Sequence, residues 1–180
     1  MKRLICVAVV VVLLTGSVAC IAAEDKAWRF GASWVRLSDT DVRNVLGDGW
    51  GIGAEYSFGD TFTDLTMPMD LSVAVSYKRF DDTFFGVGVS LDHTSVGLKW
   101  RAGSGASPAA DGFYGGVGLG AAFLRAKVGV IDDSKTRFEW SVFGGANFAQ
   151  SWYGEIGYNH VGDIEGTNLS NWAVTVGHRF

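Results

Sequence analysis

Residues Gly49 to Phe58 read GWGIGAEYSF, an unbroken alternation of apolar with small or polar side chains. A strand turns successive side chains to opposite faces. Trp50, Ile52, Ala54, Tyr56 and Phe58 therefore share one face, and Gly51, Gly53, Glu55 and Ser57 share the other. The same period of two recurs in LSVAVSYK, where Leu71, Val73, Val75 and Tyr77 oppose Ser72, Ala74, Ser76 and Lys78. It recurs again in TSVGLKWRA, where Val96, Leu98 and Trp100 oppose Ser95, Gly97, Lys99 and Arg101.

Strands with one apolar face build either a soluble sandwich, whose apolar faces meet, or a membrane barrel, whose apolar faces meet lipid. The second face decides between them. A sandwich would expose Lys, Glu and Thr there, whereas this chain places Gly, Ala and Ser with a sparse set of charges, as suits a narrow lumen. Trp and Tyr near the ends of the apolar faces suit the girdles of a lipid–water interface. The expected fold is all-β, an eight-stranded antiparallel up-and-down transmembrane β-barrel. Its runs fall at about 27–37, 49–59, 70–80, 84–102, 112–125, 136–147, 151–160 and 170–180 by period-two alternation. No segment carries a convincing amphipathic helical period.

The fourth run is longer than the roughly 10 residues a tilted strand needs to span a membrane. Its apolar parity slips between Leu91 and Thr94, which predicts a bulge near Asp92-His93 with the earlier half beyond the membrane. If the first strand starts in the periplasm, DTDVRNVLGD, FDDT, VIDDSKT and VGDIEGTN are outward loops, and they are acidic. NFAQS is then a short periplasmic turn, and RAGSGASPAADG is a longer one expected to be mobile. Pro68 and Pro108 both fall in turns, where neither breaks a ladder of backbone bonds.

At 180 residues the chain fits one domain, and its 25 glycines and 13% aromatic content favour strands. The opening MKRLICVAVVVVLLTGSVACIAAED sets Lys2 and Arg3 before an apolar run from Leu4 to Leu14, which breaks at Thr15-Gly16-Ser17. That run is shorter than the roughly 20 residues of a membrane-spanning helix. Residues 1–23 read as a secretory signal peptide, cut after Ala22 or Ala23, and residues 24–180 as the barrel domain. Lipidation at Cys20 is the alternative, although Ser17-Val18-Ala19 lacks the leucine that opens a lipobox. Cleavage would remove both cysteines, Cys6 and Cys20, and with them any disulfide or thiol nucleophile. It would also remove Lys2 and Arg3, turning 15 basic against 19 acidic residues into 13 against 19, near −6. With no basic cluster, nucleic acid is excluded as a partner.

The carboxy-terminal NWAVTVGHRF puts Trp172, Val174, Val176 and Phe180 at alternate positions of one strand. This stretch resembles the closing strand of bacterial outer-membrane barrels, whose last residue is typically Phe and whose alternating apolar positions are read by the barrel-assembly machinery. His178 departs from that pattern, which usually has an apolar or aromatic residue there. With GAEYSF, SVGLKWR and FYGGVGLGAAF, the mature chain resembles the small eight-stranded family of opacity-type proteins and the outer membrane protein A barrel. The resemblance implies a Gram-negative outer-membrane location after export to the periplasm. It implies contact with outer-membrane lipid, including lipopolysaccharide, and leaves room for a host or cell-surface ligand on the loops. It does not choose among anchors, adhesins, complement-resistance factors and lipid-modifying enzymes.

Inward parity collects Arg29, Glu55, Lys78, Lys99, Arg101, Glu139, Glu155 and Arg179 in the lumen. Charges in a narrow, poorly hydrated interior need partners, so a charge network that plugs the barrel is expected. The competing arrangement has these chains reaching out to the two mouths. His93 and Ser95 have the H-x-S spacing found in outer-membrane lipid A deacylases, but their parity points them away from lipid. His93, His160 and His178 have no metal-site spacing, and no metal or cofactor is expected. Gly115 to Gly120 lacks the Lys-Ser/Thr of a phosphate loop and reads as relief of crowding inside the barrel. The reading is a non-enzymatic plugged barrel that displays acidic loops for surface interaction or envelope support. A narrow passive channel is the alternative, and a lipid A-modifying enzyme using His93 and Ser95 is a further one.

Overall fold

The computed structural model describes residues 28–60, 67–107, 109–164 and 166–180. The expected signal peptide with Cys6 and Cys20, and Pro108, lie outside these residues. The barrel strands are β1 (Trp28–Leu37), β2 (Gly49–Asp60), β3 (Met69–Phe84), β4 (Val87–Ala102), β5 (Gly112–Val128), β6 (Ile131–Phe148), β7 (Trp152–His160) and β10 (Asn171–Arg179). A short hairpin of β8 (Asp163–Ile164) and β9 (Thr167–Asn168) stands apart, and one helix, α1 (Thr40–Leu46), follows β1. The eight barrel strands pair antiparallel in the closed order β1-β10-β7-β6-β5-β4-β3-β2. Closure runs from Arg29 opposite Arg179 to Leu37 opposite Asn171, so neither terminal strand leaves its edge unpaired.

Alternation sorts the faces as the sequence predicts. Ile52, Phe58, Val96, Leu98, Val174 and Val176 point outward and are exposed on the isolated chain, while Ser57, Ser72 and Lys78 are buried inside. Aromatic rings gather at both rims. Trp28 meets Tyr56 and Phe30 meets Phe180 at the end where β1 starts, the near end; Trp50 meets Tyr77 and Tyr158 meets Trp172 at the far end. Gly97 and Gly120 face each other across β4 and β5, and a Cβ on Gly120 would lie 2.9 Å from the Gly97 Cα. Close backbone approach, not phosphate binding, accounts for glycine there.

Four expectations are corrected. No bulge interrupts β4: its register with β3 runs unshifted from Met69 opposite Ala102 to Phe84 opposite Val87, and that with β5 is equally regular. The parity slips because the interior changes character. Leu91 points inward like Lys99 and Arg101, into an apolar cap at the far end. That cap buries Val35, Leu37, Leu46, Phe80, Leu124, Val161 and Leu169, with Val42 and Val89 packed against it.

FDDT and VIDDSKT are largely strand, not loop. The hairpins turn at Phe85-Gly86 and Gly129-Val130, and Phe85 at φ 49° and Gly86 at φ 79° take the positive values a tight hairpin turn needs. Because β2 and β7 last pair at Trp50–Arg79 and Trp140–His160, strands β3 to β6 continue past the barrel wall as a four-stranded sheet.

A helix does form. The Asp39 carboxylate accepts from the backbone amides of Asp41 at 2.9 Å and Val42 at 3.3 Å, and Gly47 ends the helix at φ 67°. Two turns suffice because Leu46 is buried in the cap, not because the helix is stable alone. Last, the near-end loop 103–111 is tied down. The Gly103 amide donates to Pro68 O, the Gly105 amide donates to Phe113 O, and Ala106 is buried.

Candidate functional site

The lumen is closed in layers, and the sequence decides each by what it places on inward parity. At the near mouth the Asn147 amide Nδ2 donates to the carbonyls of Gly105, Ser107 and Ala110, at 2.8 to 3.1 Å. Arg179 donates to Ala110 O at 3.1 Å and pairs with Asp111 at 2.6 Å. Arg29 donates to Ala106 O at 3.3 Å, and its guanidinium lies 5.1 Å from the Tyr114 ring centre and 5.5 Å from that of Tyr153. The loop is therefore a lid held by two arginines and an asparagine.

Above it lies the main charge cluster. Lys99 Nζ sits 2.7 Å from Glu55 and 2.6 Å from Glu155, with the Phe143 ring centre 4.1 Å away. Arg101 pairs with Glu55, lies 3.4 Å from Asp70 and 3.8 Å from Glu155, and donates to Ser72 Oγ at 2.8 Å. Ser57 donates to Asp70, and the Tyr114 hydroxyl donates to Glu155 at 3.2 Å. Three carboxylates surround two cations, so each charge removed from water meets opposite charge.

A cavity of about 120 Å³ follows, lined by Ser33, Ser76, Ser95, Ser141 and Thr175 with the charged groups below and above. Side chains alone therefore do not fill the lumen at mid-barrel. A second, smaller cluster closes the cavity on the far side. Lys78 lies 3.8 Å from Glu139 and donates to Asn171 Oδ1 at 3.2 Å, while His93 Nε2 is 2.8 Å from Glu139. The apolar cap stands beyond.

Of the eight charges placed in the lumen by parity, six join these two clusters: Glu55, Lys99, Arg101 and Glu155 in one, Lys78 and Glu139 in the other. Arg29 and Arg179 do not; they serve the near-end loop. Sequence reasoning missed Asp70, which shares the parity of Ser72 and Lys78 at the very start of β3. It left His93 out of the network, although parity already turned it away from lipid, because the expected bulge fell at Asp92-His93 and interrupted the alternation there. Tyr114, Tyr153 and Asn171 gave no signal beyond inward parity.

His93 and Ser95 do not engage each other in the manner of base and nucleophile. The Ser95 hydroxyl shares a 2.8 Å hydrogen bond with Ser76 Oγ, and His93 is buried against Glu139. The hydroxyl–imidazole bond in the described residues joins Ser170 Oγ and His160 Nδ1 at 3.0 Å, and Ser170 is wholly buried. Among the described residues no cluster of His, Cys, Asp and Glu has the makings of a metal site. Trp172, Val174, Val176 and Phe180 all point outward, and His178 among them meets the Trp152 ring edge-to-face at 5.3 Å and the Phe180 ring at a tilt at 4.4 Å.

The profile of the outer membrane protein beta-barrel domain matches residues 8–180. Among solved structures, the N-terminal β-barrel domain of Pseudomonas aeruginosa OprF superimposes with a TM-score of 0.60 at 16% identity, over 87% of this chain and 98% of that one. Neisserial surface protein A gives 0.53 at 18% identity, over 84% and 94%. The outer membrane enzyme PagL gives 0.53 at 12% identity, over 84% and 98%. At these identities the likeness carries the fold and leaves the role open. Comparison with curated protein sequences finds no match.

Proposed function

The chain belongs to the outer membrane protein β-barrel family, and from that premise we propose that it is a closed barrel whose work is done at its surface. It resides in the bacterial outer membrane. Residues 1–23 act as its export signal, and the outward face of β10, from Trp172 to Phe180, is what the assembly machinery reads. The far end faces outside, where α1, the extended sheet and the β8–β9 hairpin meet other surfaces or support the envelope.

One observation supports the closed reading above others: two ion-pair clusters, an apolar cap and a tied near-end loop lie in series along the lumen. A continuous water path would have to break each of them. The passive-channel reading has only the mid-barrel cavity in its favour, and that cavity is bounded by Glu55, Lys99 and Glu139 on its two sides. The enzyme reading requires a serine activated by a histidine and open to lipid; His93 and Ser95 face the interior, and Ser170 is buried. The test is conductance of the full-length protein in a planar bilayer. No steady current is expected, and a steady open state in the unmodified protein would overturn the reading. Lipid A acylation in cells expressing His93→Ala or Ser95→Ala should equal that with the unmodified protein.

A further inference from the structure

Apolar residues return where the chain has left the barrel. At the tip of the extended sheet Phe85 is 92% exposed, and Phe84, Val87, Val128, Val130 and Ile131 are exposed around it. They form one patch. Phe84 pairs with Val87, Val89 with Val128 and Val128 with Ile131, while the Gly129 amide donates to Gly88 O at 3.1 Å and joins the two turns.

The barrel's own membrane does not account for this patch. Between the far aromatic girdle at Tyr77 and the tip, the outward face of β3 carries Arg79, Asp81 and Thr83, and its neighbours carry Asp92, Arg125, Lys127 and Asp132. Arg79 lies 3.6 Å from Asp92 and Arg125 pairs with Asp132, so this is a settled polar belt. At a strand rise of about 3.3 Å and a tilt near 40°, Phe85 stands roughly 20 Å above Tyr77.

We propose that the joined tips of the β3–β4 and β5–β6 hairpins are an apolar wedge that inserts into a second lipid surface facing the barrel. Three features choose lipid over a protein groove. The patch sits on two joined tight turns at the free end of the sheet, with Phe84, Val87, Val128 and Ile131 on the inward parity of their strands and Phe85 and Val130 at the turns themselves, and acyl chains close around any shape whereas a protein must supply a matching pocket. Charge begins at a fixed depth, with Asp81, Asp82, Asp132 and Asp133 a rung or two below the apolar residues, as interfacial insertion demands. Finally, Lys127 pairs across from Asp132 and Lys135 lies 3.6 Å from Asp133, so the collar carries both signs and suits a zwitterionic headgroup layer. An anionic surface gains nothing from it.

The inference rests on the far end facing outward, and the experiment separates the two. An epitope inserted between Gly129 and Val130 should be reached by antibody on intact cells; failure there overturns the orientation and the wedge with it. With orientation established, the full chain in nanodiscs is mixed with phosphatidylcholine vesicles and floated. Co-flotation is expected, with at least a tenfold loss for Phe85→Asp/Val130→Asp and little change in high salt. Both variants must keep the heat-modifiable gel shift of a folded barrel. Phe85→Trp should bind like the unmodified protein and shift its emission to the blue on adding vesicles. Equal flotation of the Asp variant overturns the wedge. So does absence of flotation in the unmodified protein, including the case where it instead binds a lipid-free protein through the same residues.

Discussion

The near and far halves of the lumen are filled by opposite means. The near half is filled with charge: Glu55, Asp70, Lys99, Arg101 and Glu155 neutralise one another within a few ångströms. The far half is filled with hydrocarbon, and its closure depends on α1 setting Leu46 against Phe80, Leu91 and Leu124. Charges removed from water attract strongly but are costly alone, so the first plug is rigid and intolerant of any single loss. Apolar side chains in contact degrade gradually, so the second tolerates reshaping. The boundary falls at Lys78, His93 and Glu139, a small ionic cluster directly beneath the cap.

The sharpest way to break this contrast is Arg101→Met. It leaves Glu55 and Asp70 without their guanidinium in a buried site, and a loss of about 3 to 5 kcal/mol is expected. The urea midpoint of the folded gel band reports it, while conductance should stay silent because the second cluster and the cap remain in series. A variant as stable as the unmodified protein would mean that these pairs do not hold the plug.

A charge placed on the other side of the wall should cost nearly as much. Val75 lies opposite Ala54 and Val96, midway between the girdles, so Val75→Arg is expected to lose about 2 to 4 kcal/mol in the same assay. Ile52, one rung nearer Trp50, should lose less as Arg, because the cost falls towards the interface. Equal losses at both depths would count against the placement of the membrane.

Leu46→Ala tests the far half. Truncating one buried leucine in a cap that can settle is expected to lose about 2 kcal/mol, the low end for such changes. Conductance should stay silent, since the two ionic clusters below remain intact. A steady leak in this variant would make the cap, and not the charge, the principal seal.

How far the sequence could be read follows the same division. Glu55 sits between Ala54 and Tyr56 in an unmistakable alternation, and inward parity alone placed it beside Lys99 and Arg101. The same rule misled at Leu91. An apolar residue on inward parity looks like a lipid-facing one after a slip, because alternation reports only that two faces differ and not what each face meets. Helix α1 was legible in principle, with Asp39 before it, Val42 and Leu46 four apart, and Gly47 after. Two turns give too short a period to distinguish it from a loop. The near-end loop was illegible for a different reason: Asn147 binds three of its carbonyls from more than thirty-five residues away in sequence.

The smallest expected effect lies outside both halves, on the extended sheet, and it calibrates them. Arg125 pairs with Asp132 on an exposed face, and this guanidinium holds the Asp132 carboxyl below its ordinary range. The sign follows from that direction. A carboxyl depressed in the folded chain adds stability above its unfolded value of about 3.9 and loses it as pH falls through the lower folded value. Here both side chains stand in water, where the pair is screened by salt and by solvent, so the contribution to unfolding is expected to vanish into the error of the measurement. Carboxyl NMR should find Asp132 titrating below the usual range, returning towards it in Arg125→Gln, with the urea midpoint unchanged. A midpoint shift approaching that of Arg101→Met would mean that charge pairing in this protein does not depend on burial, and the contrast between plug and surface would fail.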